Sequence, residues 1–132
     1  MIVIDASALL PVLIDDPQRT GHTLRTISAF ETDYLAAPHL VDLEVAHTLR
    51  RLVASEGLSE HIATGALDEL QGMRLKRFPH HLFLGRIWEL RHNLSAYDAA
   101  YLALAETLEV PLVTRDSAMA ISQTTAEVVV IA

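Results

Sequence analysis

The chain has 132 residues, half of them hydrophobic, no cysteine, and a formal net charge of −7. One domain spanning 1–132 is expected at this length, and the absent thiols exclude disulfides, zinc ribbons and thiol catalysis. The charge excludes broad electrostatic attachment to nucleic acid, which needs clustered Lys and Arg, and a mean hydropathy of +0.28 points to an oligomer or a bound partner that covers apolar surface.

The apolar opening, 1–14, has no basic leader and is broken by Asp5, so it reads as a buried strand at 2–4 and a helix rather than a signal peptide. Signals between 15 and 32 are weak, with Pro17 and Gly21 framing a helix of uncertain bounds. A strand at 34–36 follows, then a helix over 38–56 that opens on Pro38, keeps Val41, Val45, Leu49 and Leu52 on one face, and stops at Gly57. The next helix, 59–73, has Ser59 as its N-cap and Ile62, Ala66 and Leu70 at four-residue spacing. After a strand at 75–78 comes a helix over 83–92, and then an alanine-rich helix capped by Ser95. Small side chains let that helix lie close to a sheet, and Pro111 marks its exit into a strand at 112–114. A last strand falls at 128–131. Strands alternating with helices predict an α/β fold with a parallel sheet of about five strands. No run reaches the roughly twenty apolar residues of a membrane span, so a cytoplasmic protein is expected.

The direction of these elements gathers four acids. Asp5 and Asp116 follow strands, Glu44 lies early in the helix leaving the second strand, and Asp98 lies early in the helix entering the fourth. All four belong to the carboxyl edge of the sheet, where ligands bind in open α/β folds. Like charges about 4 Å apart repel by about 4 kcal/mol at an effective dielectric near 20, so the group calls for a cation or for protonation. Hard oxygen donors without His or Cys select Mg²⁺ or Mn²⁺, and the chemistry this suits is phosphodiester hydrolysis. Each acid also has an ordinary reading. Asp5 ends a strand, Asp98 completes a capping box with Ser95, Glu44 pairs with Thr48 or Arg51 on a solvated flank, and Asp116 caps a short helix from Ser117. Four unrelated caps have no reason to share one edge.

The blocks around these acids are I-V-I-D-A-S-A-L, A-P-H-L-V-D-L-E-V-A, L-S-A-Y-D-A-A-Y-L-A-L-A and V-P-L-V-T-R-D. In this order and spacing the chain resembles PIN-domain ribonucleases, most of all the VapC-type toxins of bacterial toxin–antitoxin pairs. The resemblance covers nearly the whole length. It implies a three-layer α/β/α sandwich, with an acidic pocket that binds one or two Mg²⁺ or Mn²⁺ ions and cuts structured RNA, often tRNA or ribosomal RNA. Asp5, Glu44, Asp98 and Asp116 match the metal-pocket positions. Ser7 and Thr114 match hydroxyl positions that support the acids or touch the scissile phosphate. A homodimer, a small VapB-type antitoxin and a possible higher assembly of the two are implied as partners.

A departure is His47, where relatives often carry Asn. Asp42 lies two residues from Glu44 and cannot face the same way on a helix. Nine of the ten basic residues are Arg, the side chain that grips phosphate bidentately. Of Arg50, Arg51, Arg86, Arg91 and Arg115, Arg115 beside Asp116 is the best placed to hold RNA or acidic groups of the antitoxin. Trp88 and Tyr101 read as core or interface. Two other functions fit parts of the pattern: an aspartyl-phosphate phosphatase or receiver-like domain, which needs a lysine near the phosphoryl group where Lys76 is remote, and a PIN-fold binding module without catalysis.

Overall fold

The computed structural model describes residues 1–32 and 34–132. Five short strands, β1 (Ile2–Ile4), β2 (Leu35–Pro38), β3 (Leu75–Phe78), β4 (Leu112–Thr114) and β5 (Val128–Val130), form one sheet in the order β3-β2-β1-β4-β5. Every neighbouring pair is parallel. The central strand β1 is buried along its whole length, which is why it reads as an unbroken apolar run. At the edge, β3 alternates a buried Leu75 with an exposed Lys76.

Six helices flank the sheet: α1 (Ala6–Leu13), α2 (Thr20–Ala29), α3 (Val41–Ala54), α4 (Glu60–Gly72), α5 (Leu84–Glu89) and α6 (Ala96–Leu108). The chain first steps outward from β1 to β2 to β3 and then returns across the sheet to β4. Right-handed parallel crossovers therefore put α1 to α4 on one face and α5 with α6 on the other, giving the three-layer α/β/α sandwich. The reversal falls between β1 and β4, the place where open sheets leave a crevice beyond their carboxyl ends. On α6, every residue from Ala99 to Ala105 is buried, and the helix packs directly on β1 and β2. Four of those seven residues are alanines, and their small size lets the helix axis approach the strands.

Local details depart from the sequence expectations in instructive ways. Pro38 ends β2, paired with Phe78, instead of opening the helix, which begins at Val41. A proline is tolerated there because the next amide, on His39, makes the bond to Phe78 O at 2.8 Å. The helix expected over 83–92 is split into a tight turn at His80–Phe83 and the short α5. Gly21 lies inside the first turn of α2 rather than before it. Gly57 follows α3, yet the left-handed residue that ends the helix is Glu56 (φ 61°), with the Gly57 amide reaching back to Leu52 O at 2.9 Å. Glu109 (φ 57°) plays the same part after α6. No helix among the described residues is long and apolar enough to cross a membrane.

Candidate functional site

Asp5 leaves β1 in extended conformation and caps α1, its Oδ1 accepting the Ala8 amide at 3.1 Å. The same oxygen accepts the Ser7 hydroxyl at 2.6 Å, while Oδ2 accepts the Thr114 hydroxyl at 2.5 Å. Thr114 ends β4, the strand beside β1, so the Asp5 carboxylate bridges the reversal point of the sheet. Each hydroxyl also accepts a backbone amide: Ser7 Oγ from Arg115 at 2.9 Å and Thr114 Oγ1 from Asp116 at 3.0 Å. Their single protons are thus committed to Asp5.

Glu44 sits in the first turn of α3, half-buried, and its Oε1 accepts the phenol of Tyr101 at 2.6 Å. The partners considered from the sequence, Thr48 and Arg51, are not the ones it uses. Asp42 is bound elsewhere, its two oxygens taking Arg77 Nε at 2.7 Å and Nη2 at 2.8 Å. Asp98 occupies the first turn of α6 and donates its amide to Ser95 Oγ at 3.1 Å. The reciprocal bond of a full capping box is not among the hydrogen bonds of the described residues; the aspartate arm is one methylene shorter than the glutamate that usually makes it. Asp116 is exposed and does cap the short turn Ser117–Met119, through Ala118 N at 2.9 Å.

The acids also sense one another. Burial, opposed by the Ser7, Thr114 and Ala8 hydrogen bonds and reinforced by the charge of Asp98, holds Asp5 above the ordinary value of 3.8. Burial likewise raises Glu44, with Asp98 and Asp5 adding to it and the Tyr101 bond opposing it. Asp98 is raised by burial and then by Asp116, against the Ser95 hydroxyl. No cationic side chain is among the causes of these three shifts. Among the described residues no three Asp, Glu or His side chains are gathered closely enough to hold a metal ion in this arrangement. The donor chemistry still fits one: carboxylate oxygens at one edge, mutually repelling and without a counter-charge, are what a hard divalent cation requires. Asp5 and Glu44 are each held by hydroxyl donors, whereas Asp98 is half-exposed and Asp116 exposed.

Arg115 lies between Thr114 and Asp116 with its side-chain Nε buried and without a hydrogen-bond partner. Arg86 is held by Glu106, Glu89 and the Gln123 carbonyl, and Arg91 stacks on Trp88 at 4.6 Å. Arg50, Arg51 and His47 are exposed. Trp88 is 68% exposed, whereas Tyr101 is a core residue at 1%. The hydroxyl of Tyr101 is what the sequence reading missed; the available signal was its place one turn after Asp98 on the same helix.

A PIN domain profile matches residues 2–122. Ribonuclease VapC9 of Mycobacterium tuberculosis is 45% identical over 116 residues, covering 88% of this chain and 86% of that protein. PAE2754 from Pyrobaculum aerophilum has a similar structure, with a TM-score of 0.68 at 25% identity over 96% of this chain and 81% of its own. VapBC2 from Rickettsia felis, solved bound to a DNA fragment from its promoter, shares the fold with a TM-score of 0.69 at 13% identity over all of both chains. By its matching profile and its identity to a VapC ribonuclease, the chain belongs to the PIN-domain family and, within it, to the VapC ribonucleases.

Proposed function

We propose that this chain is a Mg²⁺- or Mn²⁺-dependent endoribonuclease, the toxin of a toxin–antitoxin pair, whose active site is Asp5, Glu44, Asp98 and Asp116. The observation that carries the reading is the placement of four acids at one sheet edge, with burial and one another's charge, and no positive side chain, among the causes that raise Asp5, Glu44 and Asp98. A divalent ion bound there supplies neutralisation of the acids and Lewis acidity toward a phosphoryl oxygen. Ser7 and Thr114 orient Asp5. Arg115, next to Asp116 at the same sheet edge, is the arginine proposed to hold a non-bridging phosphate oxygen. Structured RNA, tRNA or ribosomal RNA, is the substrate class.

The partners follow the same reading. A VapB-type antitoxin is the cognate inhibitor, and the open cleft between α3 and α4, lined by Leu43, Ala46, Leu67 and Leu70, suits an apolar segment of it. A second copy of the chain is proposed to cover the exposed Leu82, Leu84 and Trp88, which supports a homodimer.

Purified protein freed of antitoxin is expected to cut RNA with Mg²⁺ or Mn²⁺, leaving 5′-phosphate and 3′-hydroxyl ends, and to stop with EDTA. Asp5→Asn and Asp98→Asn are each expected to lower the rate by at least about a hundredfold, the scale of losing one preorganised electrostatic group. Cleavage undiminished by either change, or ends carrying a 2′,3′-cyclic phosphate, contradicts the assignment. RNA and metal binding without turnover identifies a binding module instead.

A further inference from the structure

We infer that Tyr101 is a positioning residue for metal-dependent cleavage: its hydroxyl fixes one oxygen of Glu44 and leaves the other free for a cation. The inference rests on the reading of Glu44 as a metal ligand.

Tyr101 heads the largest fully buried side chains of the protein, and a hydroxyl at that depth must find a partner. Its proton goes to Glu44 Oε1 at 2.6 Å, across from α6 to the first turn of α3. Glu44 Oε2 makes no hydrogen bond among the described residues and is left free for a ligand. A glutamate on a half-exposed helix flank otherwise has three rotatable bonds and water to turn to, so the phenol selects one arrangement of a mobile arm. Tyr101 also stands one turn after Asp98 on α6. The one bond therefore ties the helix carrying Asp98 to the helix carrying Glu44 and sets the spacing between two of the acids. The chemistry of the donor matters as well. An Arg or Lys in that place competes with a cation for Glu44, whereas a neutral phenol orients the carboxylate and leaves its charge for the ion. Hydrogen bonds of this outer kind to ligating carboxylates are worth about 10- to 100-fold in metal affinity.

Tyr101→Phe removes the hydroxyl and keeps the ring. In Mn²⁺ titrations of the antitoxin-free protein by calorimetry, it is expected to weaken binding about 10-fold or more, and its lost RNA cleavage is expected to return as Mn²⁺ is raised. In a Glu44→Ala background the same change is expected to have no further effect on Mn²⁺ affinity. Tyr101→Phe binding Mn²⁺ like the parent while Glu44→Ala binds weakly overturns the role of Tyr101 alone. Glu44→Ala binding like the parent overturns the reading of Glu44, and the inference with it. A measurement on the unsubstituted chain stands apart from any folding defect. With ¹³Cζ-tyrosine labelling, which yields three resonances, saturating Mg²⁺ is expected to shift Tyr101 and leave Tyr34 unmoved. A Tyr101 resonance that does not respond overturns the inference.

Discussion

A hydroxyl has one proton to give, and fully buried Thr114 gives it to Asp5 while accepting the amide of Asp116. Valine has nearly the same shape and can do neither. Thr114→Val therefore strands Asp5 Oδ2 and the Asp116 amide together, and a stability loss of about 1–3 kcal/mol is expected in denaturant unfolding. RNA cleavage at fixed Mg²⁺ is expected to fall more than tenfold, because Asp5 is then held at Oδ1 alone. Unchanged cleavage with the expected loss of stability would mean that Thr114 serves the fold alone. The Ser7 bond shares the load on Oδ1 with the Ala8 amide, so Ser7→Ala is expected to be the milder change. At this scale the sequence was readable where chemistry is carried by residue type. Carboxylates at strand ends announce themselves, and the family resemblance marked Ser7 and Thr114. The Tyr101–Glu44 bond was not readable, since it joins residues 57 positions apart and an alanine-rich helix makes any aromatic look like core filling.

Packing decides more than propensity at the scale of elements. Ala103 on α6 is 1% exposed, in the helix that packs on β1 and β2. Leucine there adds three heavy atoms to a space that has none to spare, so Ala103→Leu is expected to destabilise by about 1–3 kcal/mol. A helix-forming propensity close to that of alanine predicts almost no change, and equal denaturation midpoints for the two proteins would show that the α6 contact is loose. The same contrast explains what was legible. Strands at 2–4 and 112–114 fell where short, mostly apolar runs put them, because strands buried along their whole length select apolar side chains, and the edge strand at 75–78 matched its expected bounds with a mixed sequence. The proline at 38 misled, since Pro is favourable both at a helix start and at a strand end, and only its pairing with Phe78 separates the two. Glu56 and Glu109, which with Glu31 are in left-handed conformation, had no local signal at all. Their helix ends are imposed by where the chain must go next, and the backbone strain is carried by residues not chosen for it.

For the whole molecule, the site works against stability when no cation is bound. Asp5, Glu44 and Asp98 all take up protons more readily folded than unfolded, burial being the first cause of each shift. Above the ordinary values of 3.8 and 4.5 the folded chain therefore holds the extra protons, and its stability falls as the pH rises through the raised values. Glu106 has the opposite sign. Burial pushes it up, but hydrogen bonds from Arg86 and Thr124 outweigh burial and hold it below 4.5, so its contribution is lost only as the pH falls through that lower value. Together these predict a metal-free protein in which the three raised acids contribute less stability as the pH climbs above the ordinary values of 3.8 and 4.5. Asp98→Asn removes a raised group and the charge that lifts Asp5 and Glu44, so its melting temperature is expected to decline less. At neutral pH, Mg²⁺ at about a hundred times its dissociation constant is expected to stabilise the parent by about 2.7 kcal/mol and the Asp98→Asn variant by much less. Thermal scans from about pH 4 to about pH 8, with EDTA and with Mg²⁺, measure both effects on one sample series. A parent protein that grows steadily more stable toward pH 8 in EDTA, or that gains nothing from Mg²⁺, shows that the four acids are not an uncompensated group and removes the electrostatic basis for placing a cation among them.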